Sequence, residues 1–192
     1  MKIRKQRLNQ INTNKMAVLK KKSFEVEVPQ INFVTSLMAK SESEIIGRTL
    51  KIDLTRFLKG RSLEAKLLVV KEGDKLVGKF YALNLFLSYI RMMMRPGISY
   101  VEDSFVCSSK DDNRLRIKTF LITRKKVHRS VRNALREQCK ELICAAAKDK
   151  VSDDLLSDVL IGKFQYELQK KLKKVYPLSL CEIRVFEKQR KI

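Results

Sequence analysis

The spacing of apolar residues in this 192-residue chain changes close to Thr123. Between residues 23 and 123 apolar residues mostly alternate with polar ones, which is the pattern of half-buried strands. From there to about Val175 they recur every three or four residues, as in amphipathic helices. Alternation returns at 179–187. This order predicts an α+β fold with an antiparallel, barrel-like sheet, packed helices and a last strand that rejoins the sheet.

The strand-like region contains two hairpin patterns. Apolar runs at 63–70 and 76–83 flank a Gly-containing turn, and runs at 99–107 and 115–123 flank the polar turn 110–113. Two further alternating segments, 24–28 and 49–54, predict the earlier strands.

Four helices are expected from the remaining pattern. Asn84 can cap an apolar helix that ends near Met94, before a Pro-Gly break. Three more follow between residues 128 and 175. Ser152 can cap the second of these, and the acidic residues in the first turn of that helix are also favourable. Residues 23–192 are therefore predicted to form a single α+β domain.

The segment before that domain is a basic arm, residues 1–22. It contains no acidic residue and too few apolar residues to pack a face, so it is expected to be disordered when free and extended on a polyanion. The alternative is a solubilising tail. Its candidate RNA-binding cations are Lys2, Arg4, Lys5, Arg7, Lys15, Lys20, Lys21 and Lys22.

The net charge of +21 restricts the partners of the chain. Lys and Arg number 42 against 21 Asp and Glu, and such an excess repels itself in a compact protein unless a polyanion neutralises it. The chain is 44% hydrophobic, which is too much for a disordered basic tail. Nucleic acid is favoured over a membrane surface, because no bulky Trp or Phe face accompanies the cations. Without a targeting signal or a membrane-length apolar run, a cytoplasmic protein is expected.

The strongest local signal is a basic run that enters the first long helix. At about 100° per residue its helical members fall within about an 80° arc beside the apolar stripe. Arginine rows on a rigid element suit phosphate oxygens, whereas the alternative is an ordinary solvated helix face. We call this set the basic ridge, and its members are Arg124, Lys125, Lys126, Arg129, Arg132, Arg136 and Lys140.

Signatures of catalysis and of cofactor binding are missing from the sequence. There is no phosphate-binding glycine loop and no GxSxG, and the single histidine, His128, has no nearby catalytic partner. The four cysteines form no CxxC pair and are predicted to be free thiols. Asp111 and Asp112 are interpreted as turn formers rather than a metal pair. We therefore expect no enzyme activity, no metal and no nucleotide cofactor.

A set of local strings between Phe24 and Arg184 occurs in a characteristic order and spacing. These strings lie at 46–49, 89–91, 115–118, 120–126, 141–143, 161–163, 175–178 and 182–184. Together they resemble the S3Ae, or eS1, family of archaeal and eukaryotic small-subunit ribosomal proteins. The chain departs from the family at 110–113, where a Lys-Asp-Gly turn is common.

This resemblance implies a structural constituent of the small ribosomal subunit. Members of the family lie on the platform near the mRNA exit, where they bind the 3′ region of small-subunit rRNA and neighbouring ribosomal proteins. The implied partners are therefore rRNA and platform proteins, with mRNA and initiation factors as further candidates. The alternative function is a free-standing RNA-binding or regulatory protein that is not stably bound to the ribosome.

Overall fold

The computed structural model describes residues 21–58, 60–73 and 75–189. Of the predicted arm, only Lys21 and Lys22 fall within these ranges. The described strands are β1 Lys22–Val28, β2 Phe33–Ala39, β3 Thr49–Asp53, β4 Leu63–Glu72, β5 Lys75–Leu85, β6 Tyr100–Ser108, β7 Arg114–Thr123 and β8 Leu178–Lys188. The described helices are α1 Glu42–Ile45, α2 Leu87–Met93, α3 Arg129–Asp149, α4 Ser152–Ile161 and α5 Lys163–Leu172. The predicted α+β class is confirmed.

All eight described strands belong to one mixed sheet that branches at β5. The main path runs β2-β1-β5-β8-β7-β6, and β4 joins β5 to β3. Strand β1 pairs with β5 in parallel over two residues, Val26 with Leu76 and Glu27 with Val77, whereas β8 pairs with the other end of β5. The other pairings in this sheet are antiparallel. Strand β5 therefore connects every part of the sheet.

Both predicted hairpins are confirmed. Strands β4 and β5 pair from Leu63↔Leu85 to Glu72↔Lys75, and the turn contains Gly73 with φ +62°. Strands β6 and β7 pair from Tyr100↔Ile122 to Ser108↔Arg114, and the positive φ of +55° at their turn falls on Asp112. Short polar side chains and glycine tolerate this left-handed conformation, so the turn residues direct both hairpins.

Strand β2 was not predicted from the sequence. Its inward positions include Thr35 and Leu37, but two of its outward positions, Val34 and Met38, are also apolar and are more than half exposed. This blurs the alternation that identifies a strand. Strand β2 forms by pairing with β1 over seven residue pairs, so its structure depends on its neighbour.

The predicted helix cap at Asn84 is wrong. Asn84 lies in β5, where it pairs with Val185 of β8, and α2 begins only after Phe86. The pairing with β8 extends β5 past the position where a local capping pattern would end it. The strand partner of Asn84, Val185, is 101 positions further along the chain, and its pairing therefore overrides the local capping pattern.

The three helices α3, α4 and α5 pack on the β6–β8 part of the sheet. Helix α3 contacts β6, and α5 contacts β8 as well as α3 and α4. The main core lies between these layers, and its largest fully buried side chains include Phe120, Phe186 and Leu135. A smaller core lies around Val26 and Val69 at the β1 end. Helix α3, which carries the helical part of the basic run, thereby packs on the sheet.

The predicted capping role of Ser152 is also wrong, although its helix and its acidic first turn are present. Residue Val151 is the N-cap, and no side chain on α4 itself caps it. The backbone N–H of Ser152 instead donates to Asp111 Oδ2 at 3.3 Å. The turn of the β6–β7 hairpin therefore supplies the oxygen acceptor at this helix end.

Candidate nucleic-acid interface

The basic ridge begins in the loop between β7 and α3, which a buried polar pair anchors. Thr123 is fully buried, and its hydroxyl lies 2.9 Å from the Ser99 carbonyl oxygen and 2.7 Å from the Lys125 carbonyl oxygen. The backbone N–H of Val127 donates to Ser99 Oγ at 3.1 Å. These bonds fix the backbone of residues 123–127, while the side chains of the basic residues 124–126 remain exposed.

The helical members of the ridge are not equally accessible. Arg129, Arg136 and Lys140 are exposed, but Arg132 is half-buried, and its Nε is buried without a hydrogen-bond partner in the described part of the chain. Residue 132 is three positions before the buried Leu135, and residues at this spacing share a helix face. Arg132 therefore lies at the border between the packing face and the cationic face.

Arg136 lies beside a cleft between α3 and the sheet. Its Nε donates to the Glu102 carbonyl oxygen at 3.3 Å, and its Nη1 donates to Asn133 Oδ1 at 3.4 Å. Both acceptors are neutral, so they orient the guanidinium without cancelling its charge. The Glu102 carboxylate instead forms an ion pair with Arg184 at 3.0 Å. The contact with β6 thus positions the Arg136 side chain, and no carboxylate among the described residues offsets its positive charge.

Carboxylates neutralise cations elsewhere in the described structure but not on the ridge. None of the seven ridge side chains lies within 4.0 Å of a described carboxylate oxygen. The cations that do have such a partner are Arg48, Arg61, Lys71, Lys75, Lys79, Lys150, Arg184 and Lys188. The ridge therefore keeps the charge of all seven cations without a carboxylate partner among the described residues, as do other described cations such as Lys170 and Lys173.

The fold does not bring the described part of the arm to the ridge. Lys21 and Lys22 are exposed at the start of β1, whereas α3 packs on β6, four strand positions away along the sheet. The predicted sites Lys2, Arg4, Lys5, Arg7, Lys15 and Lys20 lie outside the described residues.

A second basic surface is not among the candidate sites predicted from the sequence. The structure brings Arg124 together with Tyr166, Lys170 and Lys173 of the α5 region around one open cleft. The spacing of Tyr166, Lys170 and Lys173 is i, i+4, i+7, which places them on one helix face. That spacing was a usable signal, but the approach of Arg124 depends on tertiary packing.

Beneath the helices lies a buried charged cluster that is separate from the ridge. Arg61 Nε lies 3.4 Å from Glu182 Oε1, and only 7% of Glu182 is exposed. Burial raises the pKa of the Glu182 carboxyl, and the Arg61 charge and a Gln165 hydrogen bond oppose this rise without cancelling it. Such a pair contributes to the position of β8 rather than to binding at the surface.

The cysteines and the histidine form no reactive set among the described residues. All four cysteines are free. Burial raises the pKa of the Cys107 thiol to about 11 and that of the Cys139 thiol to about 12. His128 is the N-cap residue of α3, and its Nδ1 lies 3.4 Å from Ser130 Oγ. Within the described ranges, no three His, Cys, Asp or Glu side chains are grouped so that they could hold a metal ion.

None of the helices in the described ranges is both long enough and apolar enough to cross a membrane.

Comparison with known proteins assigns the chain to a family. A family model described as the ribosomal S3Ae family matches residues 10–191. The chain belongs to the ribosomal S3Ae family. The match covers the whole described structure of this S3Ae chain, including the basic ridge and the cleft beside Tyr166.

Three curated relatives of this S3Ae chain carry the name small ribosomal subunit protein eS1. The Saccharolobus islandicus protein is 33% identical over 116 residues, which are 60% of this chain and 56% of that protein. The Saccharolobus solfataricus protein is 30% identical over 116 residues with the same shares. The Methanobrevibacter smithii protein is 27% identical over 173 residues, which are 85% of this chain and 89% of that protein. The match thus spans little more than half the length of the Saccharolobus relatives.

Proposed function

We propose that this S3Ae chain is a structural constituent of the small ribosomal subunit, where it binds and stabilises small-subunit rRNA on the platform near the mRNA exit. Its role is non-enzymatic, and its location is the cytoplasmic ribosome. Family membership and the names of the relatives support the ribosomal role. The platform position rests on the family resemblance.

The observation that carries the proposal is the uncompensated basic ridge. Its seven cations, from Arg124 to Lys140, lie in one loop and the helix that follows it, and none of them has a carboxylate partner in the described structure, whereas eight cations elsewhere do. Lys and Arg that neutralise RNA phosphates release condensed counterions, which favours association. Because the ridge lies on a helix packed against the sheet, it presents its charges in a fixed arrangement. Such a surface recognises the shape of folded RNA rather than its sequence.

The basic arm supplements the ridge in this proposal. Lys21 and Lys22 lie at the start of β1, four strand positions along the sheet from the β6 strand on which α3 packs, so we expect the arm and the ridge to contact different RNA elements. Neighbouring platform proteins are the remaining partners, with mRNA and initiation factors as further candidates.

The test compares two variants that each remove three positive charges. The ridge variant is Arg129→Gln/Arg132→Gln/Arg136→Gln, and the control variant is Lys71→Gln/Lys75→Gln/Lys79→Gln, in which each lysine has a glutamate partner. Glutamine keeps the helix, because its helix propensity is close to that of arginine, and circular dichroism checks this.

Binding to a small-subunit rRNA fragment is measured at several salt concentrations. The ridge variant is expected to bind more weakly, and its log–log salt slope to flatten by up to about 0.7–0.9 for each phosphate that the variant no longer neutralises. The control is expected to bind like the parent. Equal behaviour of the two variants contradicts the ridge as the docking surface.

A sucrose gradient tests the ribosomal assignment itself. The parent is expected to co-sediment with small subunits through a moderate salt wash. A parent that binds RNA but stays at the top of the gradient supports the alternative, a free-standing RNA-binding or regulatory protein.

A further inference from the structure

The cleft beside Tyr166 has a composition unlike the rest of the basic surface. It has a volume of about 350 Å³ and lies between α5 and the loop that follows β7. Its lining combines an aromatic ring with three cations, Arg124, Lys170 and Lys173, and the described lining residues include no carboxylate. The cations come from two separate parts of the chain, so they surround the cleft rather than form a single row.

Tyr166 presents most of its ring to solvent. Its relative exposure is 70%, which is the largest of any tyrosine or phenylalanine among the exposed large apolar residues. A single exposed aromatic residue is ordinary on a protein surface. One that is surrounded by unpaired cations has both parts of a single-strand site, since bases stack on the ring while cations contact the adjoining phosphates.

Gln169 adds an oriented polar group to the same cleft. Its Nε2 donates to the Leu178 carbonyl oxygen at 3.2 Å, which fixes the amide between α5 and β8. This bond leaves Oε1 as an acceptor, and the structure records no partner for it among the described residues. Every RNA base has an N–H donor on its edge, so such an acceptor suits a splayed base without selecting one base.

We propose that this cleft binds one unpaired nucleotide of RNA. The base stacks on Tyr166, Gln169 Oε1 accepts a hydrogen bond from the base edge, and the flanking phosphates contact Arg124, Lys170 and Lys173. The inference deepens the proposed function and rests on it, because it specifies which kind of rRNA element this side of the protein holds. Arg124 belongs to both surfaces, so an RNA strand that leaves a helix docked on the ridge continues directly into the cleft.

The chain contains no tryptophan, which makes a local reporter available. Tyr166→Trp in the full chain places a single indole in the lining of the proposed site. An unstructured octauridylate is expected to quench its fluorescence, because a base stacks on the ring. A blunt RNA duplex of similar charge and a hexaglutamate peptide are expected to leave it unchanged. Equal quenching by the duplex or by hexaglutamate overturns the proposal in favour of a general polyanion or acidic-peptide surface.

Two pairs of variants separate stacking from charge. Tyr166→Ala is expected to weaken octauridylate binding by about five-fold or more, the effect of removing one stacked base, whereas Tyr166→Phe keeps the affinity. Lys170→Gln/Lys173→Gln is expected to weaken binding and to flatten its salt dependence. The control Lys171→Gln/Lys174→Gln removes the same charge from residues outside the cleft lining and is expected to bind like the parent.

The outcomes distinguish this inference from the proposed function. If Tyr166→Ala binds octauridylate like the parent while the parent co-sediments with small subunits, the cleft assignment is wrong and the ribosomal one stands. If Tyr166→Ala loses octauridylate binding but the parent does not co-sediment with small subunits, the cleft is correct and the ribosomal assignment is wrong.

Discussion

The guanidinium of Arg61 occupies the space where a side chain on residue 162 would begin: its Nη2 lies 1.7 Å from the position of a Cβ atom built on Gly162. Gly162 has φ +95° and joins α4 to α5. The same arginine pairs with the buried Glu182 in β8. The missing side chain at 162 therefore lets one arginine pass the junction of two helices and reach the sheet.

Replacing Gly162 by alanine is expected to destabilise the protein more than replacing Gly97 by alanine. Both residues have positive φ, +95° and +83°, so both variants incur left-handed backbone strain of about 1–2 kcal/mol. Only at Gly162 does the new methyl group collide with Arg61, whereas the space at Gly97 is open. The free energies of unfolding in urea give the difference. Equal losses would show that Arg61 moves aside at no cost.

Glu182→Gln is expected to change how stability depends on pH. Burial raises the folded-state pKa of Glu182 above its ordinary value of 4.5. The stability from this carboxyl is therefore fully present below pH 4.5 and is lost as the pH rises through the raised pKa. The free energy of unfolding of the parent, minus that of the variant, is expected to fall over this range. Urea unfolding at a series of pH values measures this difference in free energy. The control is Glu102→Gln, which removes a carboxylate that is paired with an arginine but lies outside the core. A difference that rises with pH contradicts the expectation.

Thr123→Val is expected to weaken both the fold and the ridge. Valine keeps the shape but removes the buried hydroxyl, which leaves groups of Ser99 and Lys125 without their partner at a cost of about 1–3 kcal/mol. The loop cations then lose their fixed backbone, so affinity for the rRNA fragment also decreases. Thr49→Val, at an exposed position in β3, is the control and is expected to stay within about 0.5 kcal/mol of the parent. Unchanged stability of Thr123→Val argues against a structural role for the hydroxyl.

The four thiols are expected to react with iodoacetamide in an order set by burial. Cys144 is half-buried, whereas Cys107, Cys139 and Cys181 are buried. Burial also raises the pKa of each of these three thiols, which lowers the fraction of reactive thiolate near neutral pH. Peptide mass spectrometry after brief labelling is expected to find the modification at Cys144 first. Early labelling of Cys139 in the folded protein would contradict the packing of α3 on the sheet.

The sequence was informative where neighbouring residues determine the structure. Both hairpins follow from local turn residues and alternation, and the long helix follows from its apolar stripe. Strand β2 was not predicted, because the apolar residues Val34 and Met38 at its outward positions obscure the alternation of apolar and polar residues. The cap predicted at Asn84 failed because β5 continues to pair with β8, a partner that local spacing cannot reveal.

The candidate site likewise has features that local spacing predicts and features that depend on tertiary packing. The spacing of the basic residues alone predicted that they lie within one arc of α3. It did not reveal that Arg132 is half-buried beside the packing face of the helix, because the position of that face depends on how α3 packs on β6. The approach of Arg124 to Tyr166 joins residues 42 positions apart and could be seen only in the folded chain. The RNA contacts of the ridge, the arm and the cleft remain predictions.

The position of β8 also has a consequence for biosynthesis. It is the latest described strand in chain order, yet it lies between β5 and β7 in the middle of the sheet. Until residues 178–188 have been translated, the nascent chain holds two partial sheets whose facing edges expose unpaired N–H and C=O groups, and such edges invite association with other chains. A newly made chain is therefore expected to be most prone to association with other chains in the interval before β8 is inserted.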